Sequence, residues 1–113
     1  MLRSRRGEVW DIDLGNPVGH EEGGKRPALV VSIDQLNRGP GDVVVICPMT
    51  TTDRDLPTHV RIDPDEGGVT EPSFVKTEDI RAISTTRLIG PRGFVEALTM
   101  KEVAKRLRIL LGL

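Results

Sequence analysis

A chain of 113 residues with no Ser/Gly-rich or Pro-rich linker is expected to form one domain over residues 1–113, small enough that sharing apolar surface in a homodimer would be physically sensible. Its 16 Lys and Arg against 17 Asp and Glu leave a formal charge of −1, which argues against a protein that coats duplex DNA by broad phosphate neutralisation. With Trp10, Phe74 and Phe94 as its aromatic residues and no Tyr, it is poorly supplied for a platform on which successive bases stack.

In chain order, residues 9–14 alternate, with Trp10, Ile12 and Leu14 on one face and Asp11 and Asp13 on the other, the pattern of a half-buried strand. Residues 16–27 carry Gly19, Gly23 and Gly24 between Pro17 and Pro27, a composition that predicts an exposed loop holding Lys25 and Arg26. Residues 28–33 and 43–49 are short apolar runs rich in β-branched side chains, bounded by Pro27, the Gly39-Pro40-Gly41 turn and the Thr50-Thr51-Thr52 string; they read as two central strands. Cys47 lies inside the second run, where a lone buried thiol suits a reduced, cytoplasmic protein, and no stretch reaches transmembrane length.

Residues 58–62 alternate again, with His59 and Arg61 facing away from Val60 and Ile62. Shorter strands are expected at 73–76, 80–83 and 87–89, although 77–83 fits a helical turn equally well. Met100, Val103, Ala104, Leu107, Leu110 and Leu111 recur at helical spacing, with a Thr99/Glu102 capping box ahead of them and Gly112 as the stop. Lys105, Arg106 and Arg108 complement the negative end of that helix and are assigned a structural rather than an RNA-binding role. Many short strands, frequent Gly/Pro turns and one terminal helix describe a mainly β, strongly bent antiparallel barrel with a C-terminal α-helix.

Four strings in order carry a resemblance: Arg6-Gly7-Glu8-Val9-Trp10; Gly19-His20-Glu21 running to Gly23-Gly24-Lys25-Arg26-Pro27-Ala28-Leu29-Val30-Val31; Cys47-Pro48-Met49-Thr50-Thr51; and Glu78-Asp79-Ile80-Arg81-Ala82-Ile83 with Arg87-Leu88. Each is weak alone. Together they span nearly the whole chain, which resembles the MazF/PemK/Kid ribonuclease toxins of type II toxin–antitoxin systems. The resemblance implies an SH3-like barrel, a homodimer, metal-independent and cofactor-independent cleavage of single-stranded RNA at short motifs, and inhibition by a cognate antitoxin that folds over the RNA groove.

Carried over by motif, Arg26 and Thr50 are the expected catalytic pair, Glu78 the expected general base, and His20, Lys25, Thr51, Thr52 and Lys76 the expected RNA contacts. The chemistry fits these types. Attack by a ribose 2′ hydroxyl needs a base, a proton for the leaving oxygen, and donors for charge on the phosphorane. An arginine offers a planar fork for two phosphate oxygens, whereas deprotonating one with a pKa above ~12 would cost on the order of 7 kcal/mol at neutral pH, so Arg26 is cast as stabiliser or acid. Without the resemblance, a solvated loop arginine and an ordinary turn threonine would be the simpler assignments. Lys76 stands where Kid-like members carry arginine, and His59 matches no catalytic position. No metal-ligand spacing is present. The competing class is a CcdB-like toxin that poisons DNA gyrase by binding; such toxins end in a Trp-containing tail, and this sequence ends Leu111-Gly112-Leu113.

Overall fold

The computed structural model describes residues 3–19 and 23–113, so His20 lies outside the described residues. Among these, seven strands form one antiparallel sheet: β1 (Glu8–Asp13), β2 (Lys25–Val30), β3 (Val43–Thr50), β4 (His59–Ile62), β5 (Ser73–Lys76), β6 (Arg81–Ser84) and β7 (Leu88–Phe94). A four-residue helix, α1 (Asp34–Asn37), follows β2, and α2 (Ala97–Leu111) ends the chain. The strand order is β4-β5-β3-β2-β1-β7. Along its other edge β3 pairs first with β6, over 43–46, and then with β5, at Met49 and Thr50, because a short 3₁₀ turn (Thr77–Asp79) offsets those two strands. Both expectations for 77–83 are therefore met in part: a helical turn, then a strand.

Alternation sorts the side chains into two cores. Trp10, Ile12, Leu14, Ala28, Val30, Val44, Ile46 and Ile83 pack together on one face of the sheet. Val9, Leu29, Cys47, Met49, Val60, Ile62 and Val75 point to the other side, where Val103 of α2 packs on them. The middle strands are thus buried on both faces, which is why 28–31 and 43–49 read as unbroken apolar runs rather than alternating ones. The barrel is an open one: β4 and β7 remain the ends of the strand order, and a 3₁₀ turn (Glu66–Gly68) packs against β7. Gly68 is required there, since its φ is +71° and a Cβ would stand 2.5 Å from the Arg92 carbonyl oxygen.

Three expectations need correcting. Lys25 and Arg26 are not in a loop: β2 begins at Lys25, because β1 offers them partners, Asp13 and Ile12. The same strand ends at Val30 rather than at residue 33, since the Val31 and Ser32 N–H groups both turn to the Val45 carbonyl at 3.0 and 3.3 Å. Second, Thr99 and Glu102 do not form a capping box. The helix starts at Ala97, and the Glu66 carboxylate takes both the Glu96 N–H, at 3.0 Å, and the Thr99 hydroxyl, while Glu102 pairs with Arg106 at 2.9 Å. Third, Leu110 and Leu111 are 41% and 52% exposed, because the last turn of α2 runs past the sheet. Gly112 does stop the helix, in the left-handed conformation.

Candidate active site

The strand registers line up one row across the sheet. Ile12 of β1 faces Arg26 of β2; Thr50 of β3 faces Phe74 of β5; Phe74 faces Arg61 of β4. Between β2 and β3 the pairing runs Val30 with Ile46, Leu29 with Cys47 and Ala28 with Pro48 and ends there, so Arg26 and Thr50 each lie two residues beyond the last pair, on the face of Ala28 and Pro48. Side chains directly opposite share a face. The row therefore presents Arg26, Thr50, Phe74 and Arg61 together, on the side of β4 and β5 that α2 does not cover, and Lys76 and His59, which pair in the next row, extend it.

Arg26 is half-buried, and its Nε donates to the Gly23 carbonyl at 3.0 Å. That bond fixes the plane of the guanidinium, so a two-pronged contact to phosphate would use the two Nη atoms. The chain passes close to Pro17 at the anchoring residue, where a Cβ at Gly23 would come within 2.5 Å of the Pro17 ring, so only glycine fits there. Pro27 lacks an N–H, and at its position β2 is paired with β1 alone, where that loss costs the ladder least. Thr50 is the last residue of β3, and its hydroxyl oxygen accepts the Thr52 N–H at 3.1 Å. A hydroxyl that accepts there still has its own proton to give. Lys25, Thr51 and Thr52 are exposed around this pair.

Glu78 lies in the turn between β5 and β6, two residues beyond Lys76, and its carboxylate is engaged at both oxygens. Oε1 accepts from the Thr58 hydroxyl at 3.0 Å, and Oε2 is 2.9 Å from Nε2 of His59. Burial raises the carboxyl's pKa, but the bonds from His59, from its own backbone N–H and from Thr58 outweigh burial and hold it below its ordinary value of 4.5. Lys76 pairs with Asp79 at 3.0 Å. Arg61 lies over the Phe74 ring, 5.9 Å from its centroid, and beside them a cleft of about 240 Å³ is lined by Asp53, Asp55, Leu56, His59, Arg61 and Phe74. Behind this face, burial and then the charges of Glu78 and Asp79 push the Cys47 thiol up to about 12.

The structure thus brings Arg26, Thr50, Lys76 and Glu78 to one face. It adds His59, Arg61 and Phe74, which motif comparison passed over. His59 and Glu78 are 19 residues apart, and nothing in either local string announces that they meet. Among the described residues, no three His, Cys, Asp or Glu side chains gather closely enough to hold a metal ion. No helix of the described residues is long and apolar enough to cross a membrane.

Comparison with known proteins converges on one family. The model of the PemK-like, MazF-like toxins of type II toxin–antitoxin systems matches residues 5–111. Endoribonuclease EndoA of Bacillus subtilis is 36% identical over 110 residues, covering 96% of this chain and 95% of its own. Endoribonuclease MazF9 of Mycobacterium tuberculosis is 32% identical, covering 96% and 97%. Among solved structures, MazF of Deinococcus radiodurans superposes with a TM-score of 0.87 at 27% identity over the whole of both chains. A mycobacterial endoribonuclease in complex with its cognate antitoxin gives 0.80 at 32% identity, covering 97% and 96%. With the family model spanning nearly the full sequence and two relatives above 30% identity over almost their entire length, the chain belongs to the PemK-like, MazF-like toxins of type II toxin–antitoxin systems.

Proposed function

We propose that this toxin is a metal-independent endoribonuclease that cuts single-stranded RNA, messenger RNA and also transfer or ribosomal RNA, at a short sequence motif, and so stops translation and growth. The 2′ oxygen of the ribose attacks the adjacent phosphorus while its proton passes to Glu78; the bond to the 5′ oxygen breaks, and that oxygen takes up a proton. The products are a 2′,3′-cyclic phosphate and a 5′ hydroxyl. Arg26 and Thr50 stabilise the charge that builds on the phosphorane oxygens. Lys25, Thr51, Thr52 and Lys76, together with His20, hold the flanking RNA. The observation that supports this most directly is that Arg26 and Thr50 each lie two residues beyond the last pair of β2 and β3, Ala28 with Pro48, on the same face of the sheet. The working form is a cytoplasmic homodimer, silenced by a cognate antitoxin that covers the same face.

The test is incubation of defined transcripts in EDTA, with the new ends analysed chemically. Cleavage leaving a cyclic phosphate, abolished by Arg26→Ala and cut by about a hundredfold in Thr50→Ala, is the expected result. Intact RNA across varied sequence contexts, together with trapped DNA gyrase, would place the protein among the binding poisons instead.

A further inference from the structure

Glu78 is held by more than a solvent-facing base requires. Thr58 donates to one oxygen, His59 faces the other, and the Thr77 hydroxyl donates to the Thr58 carbonyl, so the end of the segment 51–58 is stitched to the turn that carries Glu78. The His59 side chain is 3% exposed, while that of Glu78 keeps 28%. An ionised carboxylate can only accept, which puts the imidazole proton on Nε2. The remaining nitrogen, Nδ1, is buried without a partner among the described residues.

We infer that His59 is a positioning residue for strand cleavage: its Nε2–H, with the Thr58 hydroxyl, fixes the plane of the Glu78 carboxylate and turns the open edge toward the ribose 2′ hydroxyl. This rests on the assignment of Glu78 as the base. Each carboxylate oxygen accepts two hydrogen bonds, so His59, Thr58 and the Glu78 backbone N–H take three of the four sites and leave one for the substrate. The Phe74 ring, 6.4 Å away and tilted by 38°, closes the imidazole in from the side of Thr50. A fixed carboxylate reaches the transition state without first being ordered, and that saving appears in kcat rather than in KM.

Titration separates this role from simple packing. The charged and titratable groups around Glu78 are His59 from β4, Lys76 and Asp79 beside it, the Cys47 thiol of β3 behind it, Arg61, Asp53 and Asp55 at the neighbouring cleft, and Arg106 of α2, whose Nε donates to the Pro57 carbonyl next to Thr58. His59 donates to the carboxylate directly. Removing that donor leaves the burial that raises the Glu78 pKa and takes away a bond that lowers it, so the acid limb of the rate profile moves to higher pH.

The experiment is steady-state cleavage of a short RNA between about pH 4 and pH 8 by wild type, His59→Leu, His59→Gln, His59→Asn and Glu78→Gln, with folding checked by circular dichroism. His59→Leu is expected to lower kcat by about tenfold or more with KM little changed, and to shift the acid limb upward. His59→Gln, whose amide NH₂ can reach the carboxylate, should recover most of the rate and the original limb; His59→Asn, one methylene shorter, should not. A folded His59→Leu with wild-type kcat and pH profile overturns the inference. If His59→Leu does not fold, equal rates in the Gln and Asn variants overturn it just as well. Wild-type cleavage by Glu78→Gln would remove the base assignment beneath it, whereas an inactive Glu78→Gln beside fully active His59 variants would remove the positioning role alone.

Discussion

An arginine and a lysine carry the same charge, so the geometry at Arg26 decides which of its properties matters. With Nε bound to the Gly23 carbonyl, the guanidinium is oriented before any substrate arrives. An ammonium at the same place would have one point of contact and no fixed plane. Arg26→Lys is therefore expected to lose at least about a hundredfold in kcat/KM while RNA binding measured by filter retention changes by only a few-fold; near wild-type cleavage by that variant would show that charge alone suffices. At Glu78 the argument concerns stability. Its folded-state pKa lies below the ordinary carboxyl value, so the ionised form favours the folded state. That contribution is complete above the unfolded pKa near 4.5 and disappears as pH falls through the lower folded value. The Tm difference between wild type and Glu78→Gln should be largest near neutrality and shrink as the pH is lowered through about 4.5 and below. A gap that stays constant or widens in acid would mean that the bonds to His59 and Thr58 do not favour the ionised carboxylate.

At the scale of elements, the start of α2 shows what a local pattern misses. Thr99 and Glu102 have the capping-box spacing, yet the cap comes from Glu66, some thirty residues earlier, in the turn packed against β7. Glu66→Ala should destabilise the fold by about 1 kcal/mol in urea denaturation, the usual worth of a helix cap. Glu102→Ala, which removes an exposed pair with Arg106, should change stability less; the reverse order would restore the capping box. The same contrast explains what was legible. The cores of β1 and β4 and the apolar stripe of α2 announce themselves because one buried face imposes its period on the side chains, and β3 does so as an unbroken apolar run, being buried on both faces. The extent of β7 does not: Gly90, Pro91 and Gly93 look like a turn, and they join a strand because β1 pairs with them through two register shifts. At the site, Arg26, Thr50 and Glu78 stand out through motif order alone, since no local period marks a residue at a strand end or in a turn. His59 was visible as the outward residue of an alternating strand, but its partner comes from a long-range pairing of β4 with β5.

For the whole molecule, the formal charge of −1 makes long-range attraction to RNA weak, so binding depends on where the cations stand. On the candidate face these are Arg26, Arg61 and Lys76, with Lys25 beside them at the strand end; Arg61 pairs with Asp63 and Lys76 with Asp79, each at 3.0 Å. A second group, Arg6, Lys101, Lys105 and Arg108, lines a shallow depression along α2, on the other side of β4 and β5. Arg106 is turned from that group toward Glu102 and the Pro57 carbonyl. Neutralising Z phosphates of a single strand gives a slope of log K against log salt of about −0.7Z. If a short RNA uses the candidate face alone, the slope for an inactive Arg26→Ala protein should be no steeper than about −2, and about −3 for a wild-type protein bound to an uncleavable 2′-deoxy analogue. The difference between those slopes counts the contact made by Arg26 itself. A wild-type slope nearing −6 would mean that the α2 cations take part as well, and Lys101→Gln with Lys105→Gln would then weaken binding as strongly as substitutions on the candidate face.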